Sequence, residues 1–317
     1  MKRSMFPAGR EVPLVWIRSL AVATWAATVG LIVLGSAVRV TDSGMGCKGW
    51  PLCTGAQGSV ASFHPLMEES HRLLASIVTV LIVALAWGVR RNPRAQHLRG
   101  PSGVAVGVIV VQIVLGAVTV LANNAPFTVA LHLVTATSFL GVTSAVAVVA
   151  FVPADRSLSW RRGPSALAWA ALVGLYLVIV SGSVVVNAGA QSACASWPVC
   201  LHSPVATGLL VVQMAHRSLV LIGSVLVVVF VASRWRSQHR SVAETVMVKS
   251  ALGLLALQIL VGAMSAIWSS HTELADVHLA VASLLWSSVV AVFTLSACAQ
   301  GPVTRLATGA SSAYSHP

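Results

Sequence analysis

The residues from Val225 to Val231 read Val-Leu-Val-Val-Val-Phe-Val, so this segment is apolar on every face. Runs of this kind recur along the chain, each close to the roughly 20 residues that an α-helix needs to cross a bilayer. A membrane β-barrel would alternate polar and apolar residues instead, so the sequence predicts an all-α integral membrane protein. We place eight spans, at about 16–38, 68–89, 102–122, 126–152, 166–186, 208–232, 247–268 and 273–297.

The composition excludes a soluble globular protein, because 56% of the 317 residues are hydrophobic and only 9% are charged. A formal net charge of +12 could suggest a nucleic-acid partner. Most of the basic residues, however, lie before span 1 and in the loops after spans 2, 4 and 6, as the positive-inside rule expects for cytoplasmic segments. We therefore predict no nucleic-acid partner and a multi-pass protein of the cytoplasmic membrane, with both termini cytoplasmic.

The chain is a tandem duplication with an offset of about 146 residues. Each half is predicted to be a four-helix bundle, 1–155 and 156–300, followed by a disordered tail at 301–317. With four spans per half, the two bundles should be related by a pseudo-two-fold axis along the membrane normal. The matching segments are Cys47–Cys53 with Cys194–Cys200, His71-Arg72 with His216-Arg217, Gln112–Ala117 with Gln258–Ala263, and His132-Leu133 with His278-Leu279.

Four histidines, His71, His132, His216 and His278, lie inside predicted spans, where a polar ring is costly and usually functional. They lie near the outer ends of spans 2, 4, 6 and 8, so each half brings two imidazoles to one depth. This arrangement favours axial ligation of the iron of one haem per half, near the outer face. Interhelical hydrogen bonding, or a metal or proton relay, is the alternative.

Three arginines lie near these histidines. Arg72 and Arg217 directly follow the first histidine of each half, and Arg39 ends span 1 at the outer face. Their guanidinium groups are predicted to bind haem propionates. Contact with lipid headgroups is the alternative interpretation.

Four cysteines form two Cys-x5-Cys pairs in loops that we assign to the outer, oxidising side. We therefore predict the disulfides Cys47–Cys53 and Cys194–Cys200. A purely structural role is open for both pairs, and a redox role is open for Cys47–Cys53.

Glu68 breaks the symmetry of the duplication, because its counterpart in the second half is Gln213. It precedes His71 by three residues, so both side chains are expected on one face of the helix. We interpret Glu68 as a catalytic base or proton acceptor, with a plain helix-start acid as the alternative. Glu69 is expected to point elsewhere and to be solvated.

These segments together resemble the haem A synthase family over nearly the whole chain. The likeness is carried by Gly35–Cys47 with Trp50–Cys53, by Glu68-x-x-His71-Arg72 and by the histidines of the other even-numbered spans. The resemblance implies that His216 and His278 hold a resident haem b, that His71 and His132 address the substrate haem O, and that Glu68 is catalytic. It also implies oxidation of a ring methyl to a formyl group in two hydroxylations, which gives haem A for cytochrome oxidase assembly.

Two other functions compete with this one. A dihaem b-type membrane cytochrome would only carry electrons, and a haem exporter or chaperone would bind haem without turnover. The acid in one half argues against an electron carrier, which has no need of it. Candidate partners are membrane lipid, the prenyltransferase that forms haem O, an electron acceptor and a second copy of the chain.

Overall fold

The computed structural model describes residues 11–47, 49–51, 53, 62–154, 164–200, 207–237, 240–268 and 272–298. Within these residues the chain forms eight long α-helices and a short 3-10 helix at Pro93–Leu98, and it has no strand. The long helices are α1 (Leu14–Val40), α2 (Phe63–Arg91), α3 (Arg99–Leu121), α4 (Pro126–Val149), α5 (Ala166–Asn187), α6 (Thr207–Trp235), α7 (Val242–Ile267) and α8 (Thr272–Cys298).

All eight of these helices in the described part of the chain are long and apolar enough to cross a membrane, which confirms the predicted fold class. They match the predicted spans one for one. Helix α2 begins at Phe63, before the predicted start at residue 68, because polar residues in its first turns lowered the apparent hydrophobicity. The 3-10 helix was not predicted. The predicted boundary at 155/156 and the tail at 301–317 lie outside the described residues.

Helices that are adjacent in the chain pair as hairpins, α1 with α2, α3 with α4, α5 with α6 and α7 with α8. The two halves meet where α4 and α8 pack against each other. The pairing of α1 with α4 in the first half recurs as α5 with α8 in the second. This repetition agrees with a duplicated fold, and the pseudo-two-fold axis along the membrane normal stays a prediction.

Helix α8 is the internal helix of the structure. In its apolar stretch 72% of the residues are buried, against 17% to 39% in the other seven helices. It contacts α1, α4, α5 and α7. Its buried hydroxyls are satisfied within the protein: Ser287 donates to the Ser283 carbonyl and also accepts from the indole of Trp25 on α1 at 3.1 Å. Hydrogen bonds of this kind hold helices together where no water is present.

The contact between α4 and α8 depends on one large and one small residue. The buried indole of Trp286 donates to the Thr137 carbonyl at 3.0 Å. The same indole lies over Gly141, where an added Cβ would be 3.1 Å from two of the ring atoms. A glycine is therefore required at this position for the two halves to approach closely.

Polar contacts show which helix ends lie together at each end of the bundle. At one end Asn124, in the tight turn between α3 and α4, donates to the Gly44 carbonyl at 2.9 Å, next to the first disulfide. At the opposite end Arg18 donates to the Ala150 carbonyl at 3.1 Å, and Asn92 donates to the Val12 carbonyl at 2.8 Å. The start of α1, the end of α2 and the end of α4 thus share one end, as the predicted topology requires.

We predict that Gly141→Leu weakens the association of the two halves, because the new side chain would collide with the Trp286 indole. Overpacking of this kind costs about 1–3 kcal/mol. The matched control is Gly107→Leu in the middle of α3, where no atom lies within 4 Å of an added Cβ. Thermal unfolding of the purified variants in detergent checks this. Equal midpoints for the two variants would contradict the packing role of Gly141.

Candidate functional site

Each of the four intramembrane histidines lies against a glycine of the preceding helix. Because glycine has no side chain, the imidazole ring reaches the backbone of its neighbour. A Cβ added at these glycines would come within 2.8 to 3.3 Å of the imidazole Cε1 atom, which is closer than ordinary van der Waals contact. The pairs are His71 with Gly35, His132 with Gly116, His216 with Gly182, and His278 with Gly262.

The histidines form one pair in each half. His71 interacts electrostatically with His132, and His216 interacts with His278. Each of the four histidines lies six to nine residues after the first residue of its helix, which is α2, α4, α6 or α8. Each half of the duplication therefore brings two imidazoles together at similar positions along their helices.

The second histidine of each half has a glutamine partner on the preceding helix. The Gln112 amide nitrogen lies 3.2 Å from Nε2 of His132, and the Gln258 amide nitrogen lies 3.1 Å from Nε2 of His278. An amide N–H can only donate, so Nε2 of His278 acts as the acceptor and carries the lone pair. The Gln112 amide nitrogen lies close to both ring nitrogens of His132, since it is also 3.3 Å from Nδ1. The Oε1 atoms of both glutamines are buried without a hydrogen-bond partner.

The first histidines of the two halves, His71 and His216, differ in the hydrogen-bond partners of their Nδ1 atoms. Nδ1 of His216 lies 2.8 Å from the Ser181 hydroxyl on α5. Nδ1 of His71 is buried and has no hydrogen-bond partner, although its ring interacts with the Leu31 backbone. The two pairs are thus alike in position and unlike in their hydrogen bonds.

The disulfide loops lie beside these sites, and both disulfides are formed as predicted, Cys47–Cys53 and Cys194–Cys200. The two arginines hold the loops through backbone carbonyls. Arg72 donates to Gly49 at 2.6 Å, and Arg217 donates to Ser196 at 2.7 Å. Further bonds run from Arg72 to the carbonyls of Cys47 and Pro51, and from Arg217 to those of Cys194 and Pro198. The guanidinium groups therefore contact the loops, and their predicted contact with propionates stays a prediction.

Glu68 lies between α2 and the first disulfide loop. Its side chain is 3% exposed, accepts the Cys47 backbone N–H at 2.8 Å and forms an ion pair with Arg72. Its counterpart Gln213 is also buried, but it donates to the Gln191 carbonyl at 3.1 Å. Glu69, which was expected to be solvated, is half-buried close to the disulfide.

Arg39 is exposed at the end of α1, and its nearest charge is Asp276 on α8, in the other half. Asp276 also accepts a hydrogen bond from Ser36 at 2.5 Å, so it links α1 to α8 two residues before His278. Sequence reasoning missed Asp276 because its counterpart, Ala130, breaks the repeat.

Sequence reasoning also missed the contacts of the glycines and glutamines with the histidines. Gly116, Gly262, Gln112 and Gln258 belong to the repeated segments, but the two glycines were interpreted as helix-packing residues alone. Gly35 and Gly182 recur at the same offset as the cysteines. A glycine or glutamine repeated on the helix before each intramembrane histidine was the signal available.

The donor set fits haem. Among the described residues, the group of three or more possible metal ligands is Cys47, Cys53 and Glu69, and its two cysteines are bonded to each other. The histidine pairs thus offer two imidazoles without a third ligand, which suits axial coordination of a porphyrin iron better than zinc. The Nδ1 atoms of His71 and His278 are buried without hydrogen-bond partners.

Fold and site together define a polytopic helical membrane protein with a pair of intramembrane histidines in each of two repeated halves. The chain belongs to the COX15-CtaA family, described as cytochrome oxidase assembly protein, whose model matches residues 57–290.

Several curated bacterial proteins named haem A synthase are similar to it. That of Symbiobacterium thermophilum is 30% identical over 270 residues, covering 78% of this chain and 85% of the relative. That of Lysinibacillus sphaericus is 31% identical over 215 residues, covering 62% and 69%. That of Alkalihalophilus pseudofirmus is 28% identical over 280 residues, covering 82% and 91%.

We predict that Gly262→Ala lowers the haem content of the purified protein, because the added methyl group would force the His278 ring out of its position. Loss of ligand orientation typically weakens metal binding by about tenfold or more. The control is Gly253→Ala on the same helix, where an added Cβ meets no atom within 4 Å. Haem per chain, measured by absorbance, should fall only in the first variant. Equal contents would contradict the role of Gly262.

Proposed function

We propose that this protein is a haem A synthase, which oxidises a ring methyl of haem O to a formyl group and so produces haem A. The observation that carries the proposal is the buried acid one helical turn before the first histidine of the first half, Glu68, where the second half has the amide of Gln213. The family membership and the names of the similar proteins support it.

His216 and His278 would hold a resident haem b through their imidazole nitrogens, and His71 and His132 would hold the substrate haem. A bound bis-histidine haem supplies one-electron redox chemistry between its ferric and ferrous states. The remaining task falls on the side chains of the first half. With water as the source of the oxygen atom, oxidation of a methyl to a formyl group releases four electrons, which an external electron acceptor must take, and four protons. The side chains of the first half must orient the substrate methyl and accept these protons.

Glu68 is the residue that we propose for proton uptake. The duplication provides an internal comparison for its role. Arg217 holds the second disulfide loop through three carbonyls without any carboxylate, so the first loop does not require an acid for its structure. Glu68 is therefore not needed for the hydrogen bonds by which the arginine holds the loop. It is buried one helical turn before His71. This argument favours a chemical role over a structural one.

Arg72 would contribute by fixing Glu68. Its guanidinium bridges the carboxylate and the Gly49 carbonyl, so the acid and the disulfide loop move as one unit. Arg39, which is exposed at the end of α1, stays a candidate for a propionate contact together with Arg72 and Arg217.

The orientation follows from the charges. Arg90, Arg91 and Arg234 lie in the last turns of α2 and α6, at the end of the bundle opposite the disulfides. We propose that this basic end and both termini are cytoplasmic, and that both histidine pairs lie near the outer face. The cytoplasmic end would then be available to the prenyltransferase that supplies haem O. An electron acceptor and a second copy of the chain remain candidate partners.

We predict that Glu68→Gln abolishes most haem A formation while leaving the resident haem in place. Glutamine keeps the size of the side chain and can still accept the Cys47 N–H, but it cannot take up a proton at neutral pH. General-base catalysis is typically worth about two to four orders of magnitude. The measurement is the ratio of haem A to haem O extracted from cells with matched protein levels.

Glu69→Gln is the matched control, because it removes the neighbouring carboxylate and should reduce the ratio much less. Cells without the protein define the baseline, in which haem O accumulates. A near-normal ratio for Glu68→Gln would reduce this residue to a structural acid and would favour the electron-carrier function instead.

A further inference from the structure

The hydrogen bonds of Ser181 fix the tautomer of His216. Its hydroxyl lies 2.8 Å from the Val178 carbonyl and 2.8 Å from Nδ1 of His216. A carbonyl oxygen can only accept, so the single hydroxyl hydrogen goes to Val178. Both bonds can form together only if Nδ1–H of the imidazole donates to the serine oxygen. The lone pair of His216 then lies on Nε2, the nitrogen that is free to bind iron.

The first half lacks this hydrogen bond. Gly35 and Gly182 are equivalent, because each lies under the first histidine of its half. The residue before Gly182 is Ser181, and the residue before Gly35 is Leu34, which has no polar side chain. Accordingly, Nδ1 of His71 is buried without a hydrogen-bond partner.

The first histidine of the second half is therefore held by a side-chain hydroxyl, whereas the His71 ring in the first half meets only the Leu31 backbone. A hydrogen bond to the outer nitrogen of a ligating histidine fixes the orientation of the ring and strengthens the metal bond. Loss of such a bond typically costs about tenfold to a hundredfold in affinity. A resident cofactor needs tight ligation, whereas a site that takes up substrate and releases product needs weaker ligation.

We propose that Ser181 is a positioning residue that orients His216 as a ligand of the resident haem, and that Leu34 at the equivalent position leaves His71 without such a hydroxyl and so weakens haem retention in the first half. This inference rests on the proposed function, because it assumes one resident and one substrate haem. It assigns the difference in haem retention between the halves to one pair of equivalent residues, Leu34 on α1 and Ser181 on α5. Glu68 would then provide the chemistry and the pair Leu34/Ser181 the difference in retention.

The test measures haem retention directly. Purified protein in detergent is mixed with excess apomyoglobin, and loss of the low-spin haem spectrum is followed with time. Ser181→Ala should release the resident haem about tenfold faster or more. Ser181→Thr, which keeps the hydroxyl, should restore slow release. Ser218→Ala is the matched control, because this exposed hydroxyl on α6 bonds the Met214 carbonyl of its own helix.

The reciprocal variant tests the first half. Leu34→Ser should slow release of haem from the first site and raise the haem recovered per chain, whereas Leu34→Ala, which changes size without adding a hydroxyl, should not. A merely structural role for Ser181 would lower the protein yield of Ser181→Ala without changing the release rate or the low-spin electron paramagnetic resonance signal.

The outcomes separate this inference from the proposed function. A normal wild-type signal with unchanged release in Ser181→Ala would overturn the inference alone. A wild-type protein without any bis-histidine signal would overturn the proposed function and the inference with it. Fast release in Ser181→Ala, reversed in Ser181→Thr, would support both.

Discussion

The contact between an imidazole ring and a glycine on the neighbouring helix is the interaction on which the rest of the site depends. A polar ring inside a membrane protein needs both space and a hydrogen-bond partner. Glycine supplies the space at four equivalent positions, and each contact lies within one helical hairpin. Each hairpin thus holds one imidazole, and the two hairpins of each half bring their imidazoles together as a pair. The other residues of the site contact or surround these pairs.

The duplication allows equivalent residues of the two halves to be compared within one chain. Because the two halves share their helix pairings, their glycines and their disulfide loops, a residue that differs between them indicates a difference in function. Glu68 against Gln213 separates a half with a buried carboxylate one helical turn before its first histidine from a half with an amide at that position. Ser181 against Leu34 separates a histidine whose ring is held by a side-chain hydroxyl from one whose ring meets only the backbone of Leu31. Both differences favour a second half that retains its haem and a first half that performs chemistry.

Much of the fold could be predicted from the sequence, because membrane spans, the disulfide loops and intramembrane histidines have strong local signals. The eight helices, the cysteine pairs and the pairing of histidines within each half follow from hydropathy, spacing and duplication. The central position of α8 could not be predicted in this way. Hydropathy reports that a helix is apolar, whereas its neighbours depend on small residues such as Gly141 and on single hydrogen bonds such as that of Trp286.

The hydrogen-bond partners of the polar side chains could not be predicted from the sequence either. Arg72 and Arg217 were predicted to bind haem propionates, which stays a prediction, but their hydrogen bonds to loop carbonyls are contacts that no residue pattern reveals. Ser181 carried no signal because a serine in an apolar helix usually bonds its own backbone. Its second bond, to His216, depends on how α5 and α6 are rotated against each other. Rotation of this kind is set by tertiary packing.

The central claim is that the two histidine pairs bind separate haems and that the second pair holds the resident one. The most direct measurement is the low-spin ferric haem signal of the purified protein, recorded for alanine variants of all four histidines at matched protein level. The account predicts that His216→Ala and His278→Ala abolish the resident signal, whereas His71→Ala and His132→Ala leave it in place. A resident signal that survives both second-half substitutions would contradict the account.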